Sequence, residues 1–170
     1  MCGISGMLGH PDITVVHRMI NLIQHRGPDG QDFWSDDYVA LGHSRLAIVD
    51  LNGSRQPMRG IKGQVLVANG EIYNHLEIRT KSKYPWQTNG DSESIIALHD
   101  TNISSTISST SANDHVDWIS KLNGMYAFAL WDLQRQELIL ARDPMGIKPL
   151  VRTMVDGSLL FGSEVKALRG

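Results

Sequence analysis

Met125-Tyr126-Ala127-Phe128-Ala129-Leu130-Trp131 is an unbroken apolar run. A strand with one wet face alternates apolar and polar residues; a strand buried on both faces does not. A second such run occupies 137–141, across a five-residue turn. Two doubly buried strands in succession need cover above and below. Outward from them the chain offers few helices and several hairpins. Residues 150–155 and 159–162 pair across Asp156-Gly157, and 32–35 pair with 38–44 across Asp36-Asp37. Hairpins favour antiparallel pairing. The pattern predicts an α+β fold: a four-layer αββα sandwich, with two mostly antiparallel sheets face to face and helices outside. One sheet with helices on both faces is the fallback.

The helical signals lie mainly in the middle of the chain. Asp12 is placed to cap a helix whose Ile13, Val16, Met19, Ile20 and Ile23 recur at helical spacing, with Arg18, Asn21 and Gln24 opposite. Further helices are expected over 74–83, from an Asp91 cap through Ile95, Ile96 and Leu98, from an Asp114 cap through Val116, Ile119 and Leu122, and over 163–169. Residues 64–68 read as a short strand running into a turn at Asn69-Gly70. The Ser/Thr-rich stretch 101–113 reads as a solvated loop. No repeat and no other linker divides residues 1–170, which read as one domain.

The chain has 170 residues, 16 basic and 18 acidic, for a net charge of −2. Such a balance carries no electrostatic footprint for nucleic acid or a membrane surface. One cysteine makes no internal disulfide, which points to a reducing compartment. With no secretory leader and no long apolar segment, the expected location is cytoplasmic.

That single cysteine opens the chain: Met1-Cys2-Gly3-Ile4-Ser5-Gly6-Met7-Leu8-Gly9. Position alone leaves two readings. Free cysteine is among the most buried residue types, so Cys2 reads as structural. Alternatively, loss of Met1 gives Cys2 a free α-amine of pKa near ~8 beside its thiol, nucleophile and base on one residue.

Other polar groups stand at strand ends and helix starts: Arg45, Asn69-Gly70, Asp91 and the 26–30 loop. Arg45 has the fork that grips a carboxylate, or is a surface arginine. The Asn69 amide and Gly70 N–H make two donors for an oxyanion, or a plain turn. Asp91 binds an ammonium, or caps a helix. Scattered histidines and one thiol argue against zinc. No glycine-rich phosphate loop and no Gly-x-Ser-x-Gly elbow is present.

Taken in order, these stretches carry a resemblance. Cys2-Gly3-Ile4-Ser5-Gly6 and His25-Arg26-Gly27-Pro28-Asp29-Gly30 resemble the class II glutamine amidotransferases, which are N-terminal-nucleophile (Ntn) hydrolases. Gly42-His43-Ser44-Arg45-Leu46-Ala47-Ile48-Val49-Asp50, Asn69-Gly70-Glu71-Ile72-Tyr73-Asn74-His75, Gly90-Asp91-Ser92-Glu93 and Arg142-Asp143-Pro144-Met145-Gly146-Ile147-Lys148-Pro149-Leu150 narrow it. They are similar to the glutaminase domain of glutamine-dependent asparagine synthetase. Phosphoribosyl-pyrophosphate and glucosamine-phosphate amidotransferases are the runners-up.

The resemblance implies the αββα fold and assigns roles. Cys2, freed of Met1, attacks the glutamine side-chain amide with its own amine as base. Asn69 and Gly70 hold the oxyanion. Arg45 takes the substrate carboxylate and Asp91 its ammonium, while Leu46, Ala47, Ile48, Val49 and Glu71 line the pocket. It implies glutamine as substrate, no cofactor, no metal, and a synthetase domain or subunit that receives the ammonia. No pyrophosphate-binding loop of such a synthetase occurs in these residues, so that domain is expected to be absent from them. A truncated, non-catalytic relative that binds or regulates a synthetase is the alternative. Two departures stand out: the serine-rich 101–113 stretch, and Val151 where an aromatic residue is expected.

Overall fold

The computed structural model describes residues 1–46, 55–105 and 117–169. Nine strands and three α-helices are defined among them: β1 (Gly3–Leu8), α1 (Ile13–Leu22), β2 (Gly30–Ser35), β3 (Val39–Arg45), β4 (Met58–Arg59), β5 (Gln64–Ile72), α2 (His75–Lys81), α3 (Glu93–Ser105), β6 (Gly124–Asp132), β7 (Glu137–Arg142), β8 (Val151–Val155) and β9 (Ser158–Gly162). Every strand pairing is antiparallel. One sheet runs β2-β3-β1-β9-β8 and the other β4-β5-β6-β7.

Three apolar layers hold the stack together. Ile4, Val39, Leu41, Val65, Val67, Ala129, Trp131 and Phe161 fill the space between the sheets. Val16, Met19, Ile20 and Ile23 seat the α1 region on Ala40 and Leu160 of the first sheet. Ile78, Ile95 and Ile96 seat α2 and α3 on Leu66, Ala68, Phe128 and Leu130 of the second. The four-layer αββα expectation holds, with helices outside two packed sheets. The apolar run 125–131 lies in β6, central in its sheet and buried on both faces from Tyr126 onward.

The first strand shows why its residues are small. A Cβ on Gly6 would enter the Phe161 ring and crowd the Ala40 carbonyl, so a side chain there would push the sheet apart. Asp12 caps α1, accepting from Thr14 N–H at 2.8 Å. Asp36 closes the β2–β3 turn by accepting from the Tyr38 and Val39 N–H groups, both at 2.8 Å. Its other oxygen accepts from Trp131 Nε1 at 2.7 Å, which ties that turn to β6 of the opposite sheet.

Several local expectations are corrected. Asn69-Gly70 is not a turn; both residues lie inside β5, which runs nine residues. Glycine is required at 70 because the Met125 carbonyl on β6 presses where a Cβ would stand. The Asp91 carboxylate accepts the Ile72 N–H at 2.7 Å, reaching back to β5. Residues 101–105 continue α3 instead of opening a loop. The hydroxyl of Thr101 bonds the Ala97 carbonyl at 2.7 Å, which satisfies it within the helix. The rest of the expected loop, with Asp114 and Val116, lies outside the described residues. The closing helix is a short 3-10 segment, Val165–Arg169.

Candidate active site

The period-two alternation of the strands decides what faces the gap between the sheets. On β1, Ile4 faces inward, and Cys2 shares its parity. On β3, Val39 and Leu41 face inward, and His43 and Arg45 follow in the same phase. On β5, Val65 and Val67 lead to Asn69 and Glu71. Toward one end of the sandwich the inward positions therefore change from aliphatic to polar. There the sheets enclose a cleft of about 240 Å³.

Cys2, Arg45, Leu46, Asn69, Gly70, Glu71 and Asp91 all line this cleft. Residues 47–49, the remaining expected members, lie outside the described residues. The Cys2 thiol sits against the end of β3: Leu46 N–H donates to Sγ at 3.4 Å, and Sγ lies 3.7 Å from the Leu46 carbonyl oxygen.

Sequence reasoning assigned no role to Arg26, which is buried in a 3-10 turn at Gln24–Arg26. Its Nε donates to the Cys2 carbonyl at 3.0 Å and its Nη1 to Glu164 at 2.8 Å. The Asn69 amide completes the arrangement when its Nδ2 donates to the Cys2 carbonyl (3.1 Å) and its Oδ1 accepts from Arg26 Nη2 (3.3 Å). That orientation is assigned from its neighbours. One guanidinium thus links the Cys2 backbone, the Asn69 amide and a carboxylate. Burial pushes Glu164 upward, but hydrogen bonds from Arg26, Lys166 and His25 outweigh it and hold the carboxyl at about 2. The loop below Arg26 is fixed too. Ser44 Oγ donates to the Gly27 carbonyl at 2.7 Å, and Asp29 N–H to the Arg45 carbonyl at 3.0 Å.

Two further lining residues were also missed. His43 is 2% exposed, with the Ala68 backbone as a weak partner for its ring. Burial lowers it to about 4, against a smaller upward pull from the Ala68 carbonyl and with Arg45 adding to the fall. It is neutral at ordinary pH. Lys148 is 6% exposed, with Nζ 3.2 Å from Met1 Sδ. Its loop is pinned by Asp143, whose oxygens accept from the N–H groups of Ile147 (2.9 Å), Lys148 (3.0 Å) and Tyr126 (3.3 Å). Burial pushes Asp143 up, and these backbone donors more than offset it. The signal for His43 was its strand phase, two residues before Arg45.

No described group of three or more His, Cys, Asp and Glu side chains could hold a metal, and no described helix is long and apolar enough to cross a membrane. The arrangement offers a thiol, amide and backbone donors beside it, and charges of both signs among the lining residues. Those are the parts an acyl transfer from an amino-acid side chain needs.

Comparison with known proteins agrees with this chemistry. The glutamine amidotransferase domain model matches residues 1–170. Asparagine synthetase [glutamine-hydrolyzing] 3 of Bacillus subtilis is 35% identical over 183 residues, covering 99% of this chain and 27% of that protein. Asparagine synthetase B [glutamine-hydrolyzing] of Escherichia coli is 36% identical over 177 residues, covering 99% of this chain and 30% of that protein. Amidase chry2 of Gibberella zeae is 35% identical, covering 98% of this chain and 26% of that protein. The chain thus spans less than a third of the length of these relatives. Among solved structures, the glutamine phosphoribosylpyrophosphate amidotransferase from B. subtilis superposes with a TM-score of 0.80 at 24% identity, over 99% of this chain and 43% of that one. That similarity shows a shared fold.

Proposed function

The chain belongs to the glutamine amidotransferase domain family, and from that membership we propose that residues 1–170 form a glutaminase domain that hydrolyses L-glutamine to L-glutamate and ammonia. The observation that carries the reading is the meeting of Cys2, Asn69, Gly70, Arg45 and Asp91 in one cleft.

The mechanism follows from their chemistry. Arg45 pairs with the substrate α-carboxylate through its fork, and Asp91 with the α-ammonium. Pairing both charges selects a free amino acid over a peptide or simple amide. The side-chain carbonyl then lies toward Asn69 and Gly70. On loss of Met1, the Cys2 α-amine accepts the thiol proton, directly or through water. The sulfur attacks the amide carbon, and the carbonyl electrons move onto oxygen. The Asn69 Nδ2 and Gly70 N–H stabilise that oxyanion, an interaction worth about 3–4 kcal/mol per donor in such sites. Collapse expels ammonia, protonated by the same amine, and leaves a γ-glutamyl thioester. Water, deprotonated by the amine, releases glutamate and restores the thiol.

The test is direct. Protein with a mass showing that Met1 is absent is mixed with glutamine, and glutamate is measured. Release that disappears in Cys2→Ala supports the reading. No release by the wild type, or equal release by Cys2→Ala, overturns it.

The ammonia acceptor is proposed to be a synthetase-type domain or subunit, as the names of the asparagine synthetase relatives indicate. Their length beyond the matched part leaves room for one. Co-purification from the native source without such a partner, from a chain shown to lack the domain, would sink this half of the proposal. A single thiol suits a reducing cytoplasm as the working compartment.

A further inference from the structure

We propose that Lys148 is a positioning residue: its ammonium holds the Cys2 α-amine in the neutral, proton-accepting form once Met1 is gone. The inference rests on the glutaminase reading of the cleft. Lysine is among the residues least often fully buried unless it is paired. Lys148 is 6% exposed, and its ammonium meets only the thioether of Met1 at 3.2 Å among the described residues. A thioether is a weak acceptor and no counter-charge. A buried cation with no counter-charge among the described residues costs folding free energy, which points to a use for the charge. The Asp143 anchor holds the loop so that Lys148 remains in the cleft.

The place of the charge gives the use. The Met1 sulfur is five bonds from the Cys2 nitrogen, and Met1, Cys2 and Lys148 line one cleft, which puts the ammonium on the same side as the group that becomes the base. A nearby cation disfavours a second positive charge and lowers the pKa of an amine. An amine that would otherwise be mostly protonated at neutral pH then becomes a competent base.

The other charged and titratable groups near position 2 do not supply the same effect. Arg26, from the turn after α1, is paired with Glu164 at 2.8 Å. His43, on β3, is kept neutral by burial. Glu71 on β5 and Asp91 ahead of α3 line the cleft as carboxylates, which would favour a protonated amine. Arg45, on β3, is the cation the reading reserves for substrate carboxylate. Lys148 is the cation on the Met1 side.

The experiment reads the amine without turnover. A small aldehyde such as glycolaldehyde condenses with an N-terminal cysteine to a thiazolidine: the neutral amine attacks the carbonyl, water leaves, and the thiol closes the ring. The rate is followed by mass spectrometry from pH 6 to 10 for protein lacking Met1. Lys148→Met is expected to slow capture at pH 7 by about threefold to tenfold, the size of one nearby charge in a wet cleft. The difference should vanish above pH 9.5, and Lys148→Arg should stay within about twofold of wild type. The acid limb of kcat/KM for glutamine should move up in pH by the same amount in Lys148→Met. If that variant does not fold, Lys148→Gln is read in the same way. Equal capture at pH 7, or a loss of the same factor at every pH, overturns the proposal. Aldehyde capture needs no glutamine, so it succeeds or fails independently of the glutaminase assay.

Discussion

Arg26 Nε lies 3.0 Å from the carbonyl oxygen of Cys2, although the two residues are 24 positions apart in the chain. This bond holds the Cys2 backbone without engaging its thiol. Replacing Arg26 by Ala removes it together with the Glu164 and Asn69 contacts. The expected loss in kcat/KM is about 100-fold or more, the size of misplacing a reacting group by an ångström. Arg26→Lys keeps the charge and loses the fork, so activity should fall between the two. Steady-state kinetics on folded variants checks both.

On the proposed mechanism, Asn69→Ala removes one of the two oxyanion donors and leaves the Cys2 thiol, Arg45 and Asp91 in place. A fall of about 10²- to 10³-fold in kcat, with KM nearly unchanged, is expected. A change confined to KM would place Asn69 in substrate binding instead.

His43 sets one pH dependence of folding. Its native value is about 4, below the ordinary 6.5. The unfolded chain therefore binds a proton first as pH drops. Stability is whole above 6.5 and is lost as pH falls from 6.5 toward 4, by up to about 3 kcal/mol. Urea midpoints measured over this range should lose that slope in His43→Gln.

Glu164 sets a second, lower window. Its native value is about 2 against an ordinary 4.5. The stability it contributes is present above 4.5 and lost as pH falls through 2. Its side chain is 25% exposed, so about 1–2 kcal/mol is expected after solvent screening. Glu164→Gln should flatten the denaturation profile below pH 4.5 and leave the His43 window in place.

Gly70→Ala tests the close approach of β5 and β6. The new methyl meets the Met125 carbonyl, which is held by the sheet. The loss of stability should be about 1–3 kcal/mol, with activity falling further because Asn69 is adjacent. A thermal melt unchanged from wild type would refute the contact.

The doubly buried strand at 125–131 was legible because burial on both faces leaves no alternation to misread. Cys2, Arg45, Asn69, Gly70 and Asp91 were legible as ordered motifs; the strands bring the first four to one cleft, and the bond from Ile72 N–H draws Asp91 to it. The Asn69-Gly70 turn was misread because the dipeptide looks the same in a turn and beneath a neighbouring carbonyl. That carbonyl belongs to Met125, far along the chain. The start of the Ser/Thr stretch was misread because Thr101 satisfies its hydroxyl within the helix. Arg26 was quoted in a motif but given no task, since its partner Glu164 is 138 residues away. Lys148 carries no local mark of burial. Its place depends on the Asp143 anchor and on a contact with the opposite end of the chain.

The hydrogen bond from Trp131 to Asp36 joins the sheets at the end remote from Cys2. Along β3, Asp36 precedes the strand and Arg45 ends it; along the β5–β6 pair, Trp131 lies opposite Val65 and Ala127 opposite Asn69. Two plates bolted at one edge have their freedom at the other. Any widening of the cleft to admit an amino acid would therefore pivot about the indole, like a peg about its spring. The fluorescence of Trp131 should then register the fold and stay indifferent to occupancy.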